Sequence, residues 1–206
     1  MIRRYTTLLF LTVVAVHSSW ANGSVSFHPE GVRVGAVKPG TKIAWMALTR
    51  ERVGNHGRLT ISRGLEVATP AGNVAIGRPG VDRSRSVWVM AAIDEALTVS
   101  TIPPGYEISP FPIEAQAIAG AERITITSPS IELLYVRRHG SAWFFTASDG
   151  GPADADGEQN TRITVALESL KALHGNASPP KTVGQGDVLL MIDPVSNRSS
   201  TVEVGR

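Results

Sequence analysis

Residues 149–160 gather five potential oxygen ligands into one short stretch: Asp149, Asp154, Asp156, Glu158 and Asn160, with Gly157 allowing a sharp bend. Calcium takes about six to eight oxygens from a flexible loop, and alternating carboxylates around a glycine suit it. The spacing Asp154-x-Asp156-Gly157-Glu158-x-Asn160 is part of an EF-hand-like pattern, although no glutamate closes it at the required distance. The stretch therefore reads either as a calcium loop or as a solvated acidic loop. Calcium is the only cofactor the sequence suggests.

Other chemistry-bearing residues give weaker patterns. Asp94 and Asp193 end similar apolar runs, MAAID and LLMID. Two such aspartates could form an acid/base dyad, but neither stands in a glycine-bearing nucleophile turn. Each is expected to start a turn by accepting from its own backbone. His28, His56, His139 and His174 show no metal-ligand spacing. No serine lies in a G-x-S-x-G elbow, and no phosphate-binding loop is present. Trp45, Trp88 and Trp143 lie inside apolar runs, which points to core positions rather than ligand platforms.

The elements that must hold these residues read as strands. Alternating or short apolar segments occur at 24–27, 32–37, 42–48, 58–62, 65–68, 73–76, 86–93 and 96–102. They recur at 123–127, 131–136, 142–147, 161–167, 187–192 and 200–204. The runs SVWVMAAI and DVLLMI are too apolar to be half-exposed and are expected to be central buried strands. Residues 49–57 read as a polar loop, 137–141 as a hairpin loop, and 113–119 as a turn or two of helix.

The N-terminus has the form of an export signal. Arg3 and Arg4 precede the apolar run LLFLTVVAV, and Ser19 and Ala21 are small residues at the cleavage-site positions. The run is too short to cross a bilayer comfortably. Residues 1–21 are thus expected to be removed, leaving a secreted or periplasmic chain with no stable membrane insertion. The chain has no cysteine, and a chain of this length can bury a core without disulfides.

The formal net charge is +2, and Arg3 and Arg4 account for it, so the mature chain gives no electrostatic argument for nucleic acid. Its halves are opposite in charge. Residues 24–102 carry ten Lys or Arg against six Asp or Glu, and 103–206 carry eight against twelve. This asymmetry could dock the halves or support head-to-tail self-association.

Two halves also repeat their wording. Ala44-Trp45 resembles Ala142-Trp143, RLTI at 58–61 resembles RITV at 162–165, and 90–94 resembles 189–193. The expected fold class is all-β, with two related β-sandwich-like repeats at 22–102 and 116–206 joined by a proline-rich connector at 103–115. The repeats could stand in tandem or merge into one sandwich with an approximate two-fold axis.

These features describe an exported, non-enzymatic binding or structural module, with an unknown protein or carbohydrate as partner. Two alternatives remain open: calcium-dependent binding of carbohydrate or protein through 149–160, and an envelope hydrolase with dispersed catalytic residues.

Overall fold

A computed structural model describes residues 24–28, 31–53, 56–77, 86–94, 98–101, 112–196 and 198–205. Residues 1–21, read as an export signal, and most of the stretch read as a proline-rich connector lie outside these residues. The described chain is almost entirely β, and its strand pairs are antiparallel. None of its helices is long and apolar enough to cross a membrane.

The first half contains β1 (Ser24–His28), β2 (Gly31–Gly35), β3 (Lys42–Val53), β4 (His56–Val67), β5 (Val74–Gly77), β6 (Ser86–Ala92) and β7 (Thr98–Thr101). The second contains β8 (Glu114–Gln116), β9 (Arg123–Thr127), β10 (Ser130–Val136), β11 (Ala142–Ser148), β12 (Arg162–Ala166), β13 (Lys171–Ala172), β14 (Val188–Asp193) and β15 (Arg198–Glu203). A short 3-10 turn, Leu167–Ser169, precedes β13. Hydrogen bonding arranges the strands into four sheets, ordered β1-β2-β5, β4-β3-β6-β7, β12-β9-β8 and β13-β11-β10-β14-β15.

The side-chain alternation of each strand decides which sheets meet. On β3, Ile43, Trp45 and Ala47 face Val32 and Val34 of β2 and Val74 and Ile76 of β5. The intervening Ala44, Met46 and Leu48 face the opposite way, toward Leu134 and Val136 of β10 and Leu190 and Ile192 of β14. On β10, the other parity, Ile131, Leu133 and Tyr135, packs with Ile124 and Ile126 of β9 and Ile163 and Val165 of β12. Three apolar layers thus separate four sheets, with the two larger sheets back to back in the middle.

This arrangement accounts for the apolar runs. Strand β6 is buried at every position, and so is β14, because each has a core on both faces. The alternating strand β9, in the sheet with β8 and β12 and buried only at Ile124 and Ile126, has a core on one face.

Three expectations are corrected. Residues 49–53 and 56–57, read as part of a polar loop, are strand. The β3–β4 pairing continues through Arg50↔Leu59 to Val53↔His56, so backbone ladder bonds carry the hairpin through a polar sequence. Residues 113–119 do not coil; Glu114–Gln116 pairs with β9, so the second set of strands begins inside the stretch read as connector. Trp45 and Trp143 do not hold equivalent places. Counting inward from β7, Trp45 stands on the third strand, whereas Trp143 stands on the fourth strand from β15.

Candidate functional site

The acidic loop joins β11 to β12, and its carboxylates are turned onto its own backbone. Asp149 accepts from the amides of Asn160, Thr161 and Arg162 at 3.0–3.2 Å. Asp154, only 6% exposed, accepts from the amides of Gly150, Asp156 and Thr164. Asp156 accepts from the Glu158 amide at 3.0 Å and from the Thr164 hydroxyl at 2.7 Å. Those bonds, the Glu158 amide first, hold the Asp156 carboxyl below its ordinary range. Asn160 uses its side-chain oxygen to accept from the Arg162 amide, and Glu158 is exposed. Among the described residues, no group of three or more His, Cys, Asp or Glu side chains is arranged to hold a metal ion. The loop is a chain of short-range turns in which carboxylates replace missing ladder partners.

The two aspartates expected to start turns differ, and the residues that follow Asp94 lie outside the described ones. Asp94 is exposed and accepts from the distant Lys42 amide at 3.4 Å. Asp193 is fully buried. Its Oδ1 accepts from the Val195 and Ser196 amides, which is the expected turn. Its Oδ2 accepts from the hydroxyls of Ser128 and Ser196 and from Arg198 Nη2. Burial alone would raise this carboxyl, but the Ser196, Arg198 and Ser128 bonds outweigh it and hold the group below its ordinary value. A second buried knot joins Asp187 to the Tyr135 hydroxyl, the Gly184 amide at 2.7 Å and Arg137 Nη2 at 3.0 Å. Burial, and then the bond to the Asp187 carboxylate, push the Tyr135 hydroxyl well above its usual range. These groups bond one another, and among the described residues no histidine joins them.

One open feature lies elsewhere. Strand β4 forms an edge of its sheet, and among the described residues no strand pairs with its outer side. A groove of about 490 Å³ runs beside it, lined by Trp45, residues 61–66 and Gly77. Trp45 sits opposite Gly64 in the β3–β4 ladder. A Cβ at Gly64 would come within 2.9 Å of Cε2, Cζ2 and Nε1 of the indole, so the missing side chain lets the ring lie across β4. Trp45 also packs on Trp88 at 5.7 Å between ring centroids. It is 8% exposed, and its Nε1 is buried without a hydrogen-bond partner. An indole N–H left in that state costs about 1–3 kcal/mol unless something supplies an acceptor.

The second half presents the contrasting case. There the outer side of β11 carries β13, through Trp143↔Ala172 and Phe144↔Lys171. The segment that follows brings the Ala177 carbonyl to Trp143 Nε1 at 3.1 Å. Trp143 packs edge-on against Tyr135. The chain covers this edge with itself and satisfies the indole in doing so.

Trp45, Gly64 and the β4 edge were not singled out as a site by the sequence reading. The available signal was a glycine inside a strand pattern, which marks close approach of another group. No protein-family model matches the chain, and no curated protein matches it.

Proposed function

We propose that the protein is an exported, non-enzymatic binding module made of two copies of one seven-stranded β-sandwich unit, and that it binds an extended polypeptide strand along β4. The single observation that carries the binding site is the outer edge of β4, which no described strand pairs, beside the groove over Trp45 and Gly64. Strand addition gives affinity through main-chain bonds and specificity through alternate side-chain pockets. The groove at 61–66 supplies such a pocket. A carbohydrate reading would favour an exposed aromatic platform, and Trp45, Trp88 and Trp143 are buried.

Strand order supports the duplication. The order β1-β2-β5 corresponds to β8-β9-β12, and β4-β3-β6-β7 corresponds to β11-β10-β14-β15, each taken in the same chain order. The cross-strand row Gly64–Trp45–Met90–Val99 then falls on Trp143–Tyr135–Leu189–Val202. This keeps the match of 90–94 with 189–193 and moves the other two anchors by one strand. Contacts between the halves join β3 to β10, β6 to β14 and β7 to β15. These three pairs join equivalent strands, as an isologous two-fold interface would, while β6 also meets β15.

The test is hydrogen exchange of the full protein against overlapping twelve-residue peptides, some copied from this chain and some unrelated. Strand addition predicts that at least one peptide slows exchange of the amides at 58–66 and leaves 149–160 unchanged. If no peptide protects 58–66 and the protein is monomeric, the binding reading is refuted.

A further inference from the structure

We infer that the strand docking on β4 is β4 of a second copy of this chain, giving a two-fold dimer whose central sheet runs continuously across both molecules. The inference rests on β4 being the docking edge and adds the identity of its occupant.

In an antiparallel pair, residues directly opposite share a face. On β4 the face toward Trp45 carries Arg58, Thr60, Ser62, Gly64 and Glu66, and the other face carries Leu59, Ile61, Arg63 and Leu65. Two β4 strands centred on Ser62 place Arg58 opposite the partner's Glu66, and Glu66 opposite the partner's Arg58. Leu59, which is 43% exposed, then lies opposite the partner's Leu65. One dimer forms two opposite-charge pairs and covers two exposed leucines. Moving the centre to Arg63 sets two arginines face to face and leaves Arg58 beyond the partner's strand. Moving it to Ile61 places Arg58 opposite glycine and Glu66 opposite the partner's His56. Charge complementarity therefore selects the Ser62 register.

The same register sets Gly64 opposite the partner's Thr60, on the face that Trp45 occupies, and so covers the groove beside the indole. The second half covers the equivalent edge within one chain, through β13. The connection from β5 to β6 spans only residues 78–85, whereas that from β12 to β14 spans 167–187 and includes β13.

The chain has no cysteine, so one introduced thiol reports the register cleanly. Cross-strand Cβ atoms at the Ser62 pair would lie about 4.5–5.5 Å apart, close to disulfide reach. The experiment measures solution mass by light scattering for wild type, E66R and the charge-swapped R58E/E66R, and mild oxidation of S62C against S169C at an exposed control site. The expected results are a dimer mass for wild type, roughly tenfold weaker association for E66R, and recovery in the double variant. A covalent dimer should form for S62C and not for S169C. Recovery by R58E/E66R separates lost pairing from lost folding. A monomer whose 58–66 amides are still protected by a peptide overturns the self-pairing and leaves the strand-binding reading standing. A monomer with no such protection overturns both. A dimer in which S62C does not cross-link overturns this register.

Discussion

Replacing Arg63 with alanine should destabilise the protein in a pH-dependent way. Arg63 stands on β4 and Glu132 on β10, so their 3.1 Å bond crosses the interface between the two larger sheets. Glu132 is 5% exposed and accepts a second bond from the Thr146 hydroxyl at 2.7 Å. Arg63 also lies 4.0 Å above the Phe144 ring. Breaking a buried pair costs about 3–5 kcal/mol, and the partial exposure of Arg63 lowers that to roughly 2–3 kcal/mol including the ring contact. Burial raises the Glu132 pKa above the ordinary glutamate value, although Thr146 and Arg63 pull it down. The folded state therefore binds this proton more tightly than the unfolded chain, and stability from this group falls as pH rises through the raised pKa. Losing Arg63 removes one of the lowering influences and raises that pKa further. In R63A, the cost should be near its full value at pH 8, where an unpaired carboxylate is buried, and smaller at pH 5, because the raised pKa makes this carboxyl easier to protonate than an ordinary glutamate. Urea unfolding of wild type and R63A at both pH values measures the difference, and the expected loss in melting temperature at pH 8 is roughly 5–10 °C. Equal losses at the two pH values would refute the reasoning. R63M/E132M should recover most of the stability, since an apolar pair removes both desolvated charges.

Three further outcomes follow from the buried polar groups and the groove. D193A should cost about 3–5 kcal/mol by thermal melting, because Ser128, Ser196 and Arg198 lose a common acceptor. In wild type the lowered Asp193 pKa supplies stability above the unfolded value, and that stability is lost as pH falls through the folded value. G64A should cost about 1–3 kcal/mol, since its Cβ would meet the indole at 2.9 Å; a change in tryptophan fluorescence should accompany it, and unchanged emission and stability would contradict the packing. D154A removes the acceptor for three backbone amides and should open 149–161 to limited proteolysis. If these carboxylates bind calcium, millimolar calcium should raise the melting temperature of wild type and not of D154A, and no shift in wild type removes the calcium reading.

Much of the second half is legible in its amino acids. RITIT forms β9 at 123–127 as read, and the loop at 137–141 joins β10 to β11. Strong alternation between clear turn signals leaves little freedom there. The β3–β4 hairpin is less legible, because its polar stretch is held by backbone pairing that composition does not report. The match of Trp45 with Trp143 failed for a related reason. A short phrase such as Ala-Trp records local burial, and the same phrase serves the third strand of one sheet and the fourth of another.

The acidic loop shows the same division. Its acidic residues are close together in the sequence, yet only the folded chain turns Asp149 and Asp154 onto particular amides. By itself, the sequence determined that this protein is built of β-strands, which segments are most buried, and that its three described tryptophans belong to cores. Those properties follow from periodicity and apolar content along a few neighbouring residues. The tertiary structure decided strand order, the back-to-back meeting of the larger sheets, and the edge at β4 that no described strand pairs, beside the Trp45 indole. These depend on pairing between residues far apart in the chain, where many partners have similar local chemistry and only simultaneous packing of all sheets chooses among them.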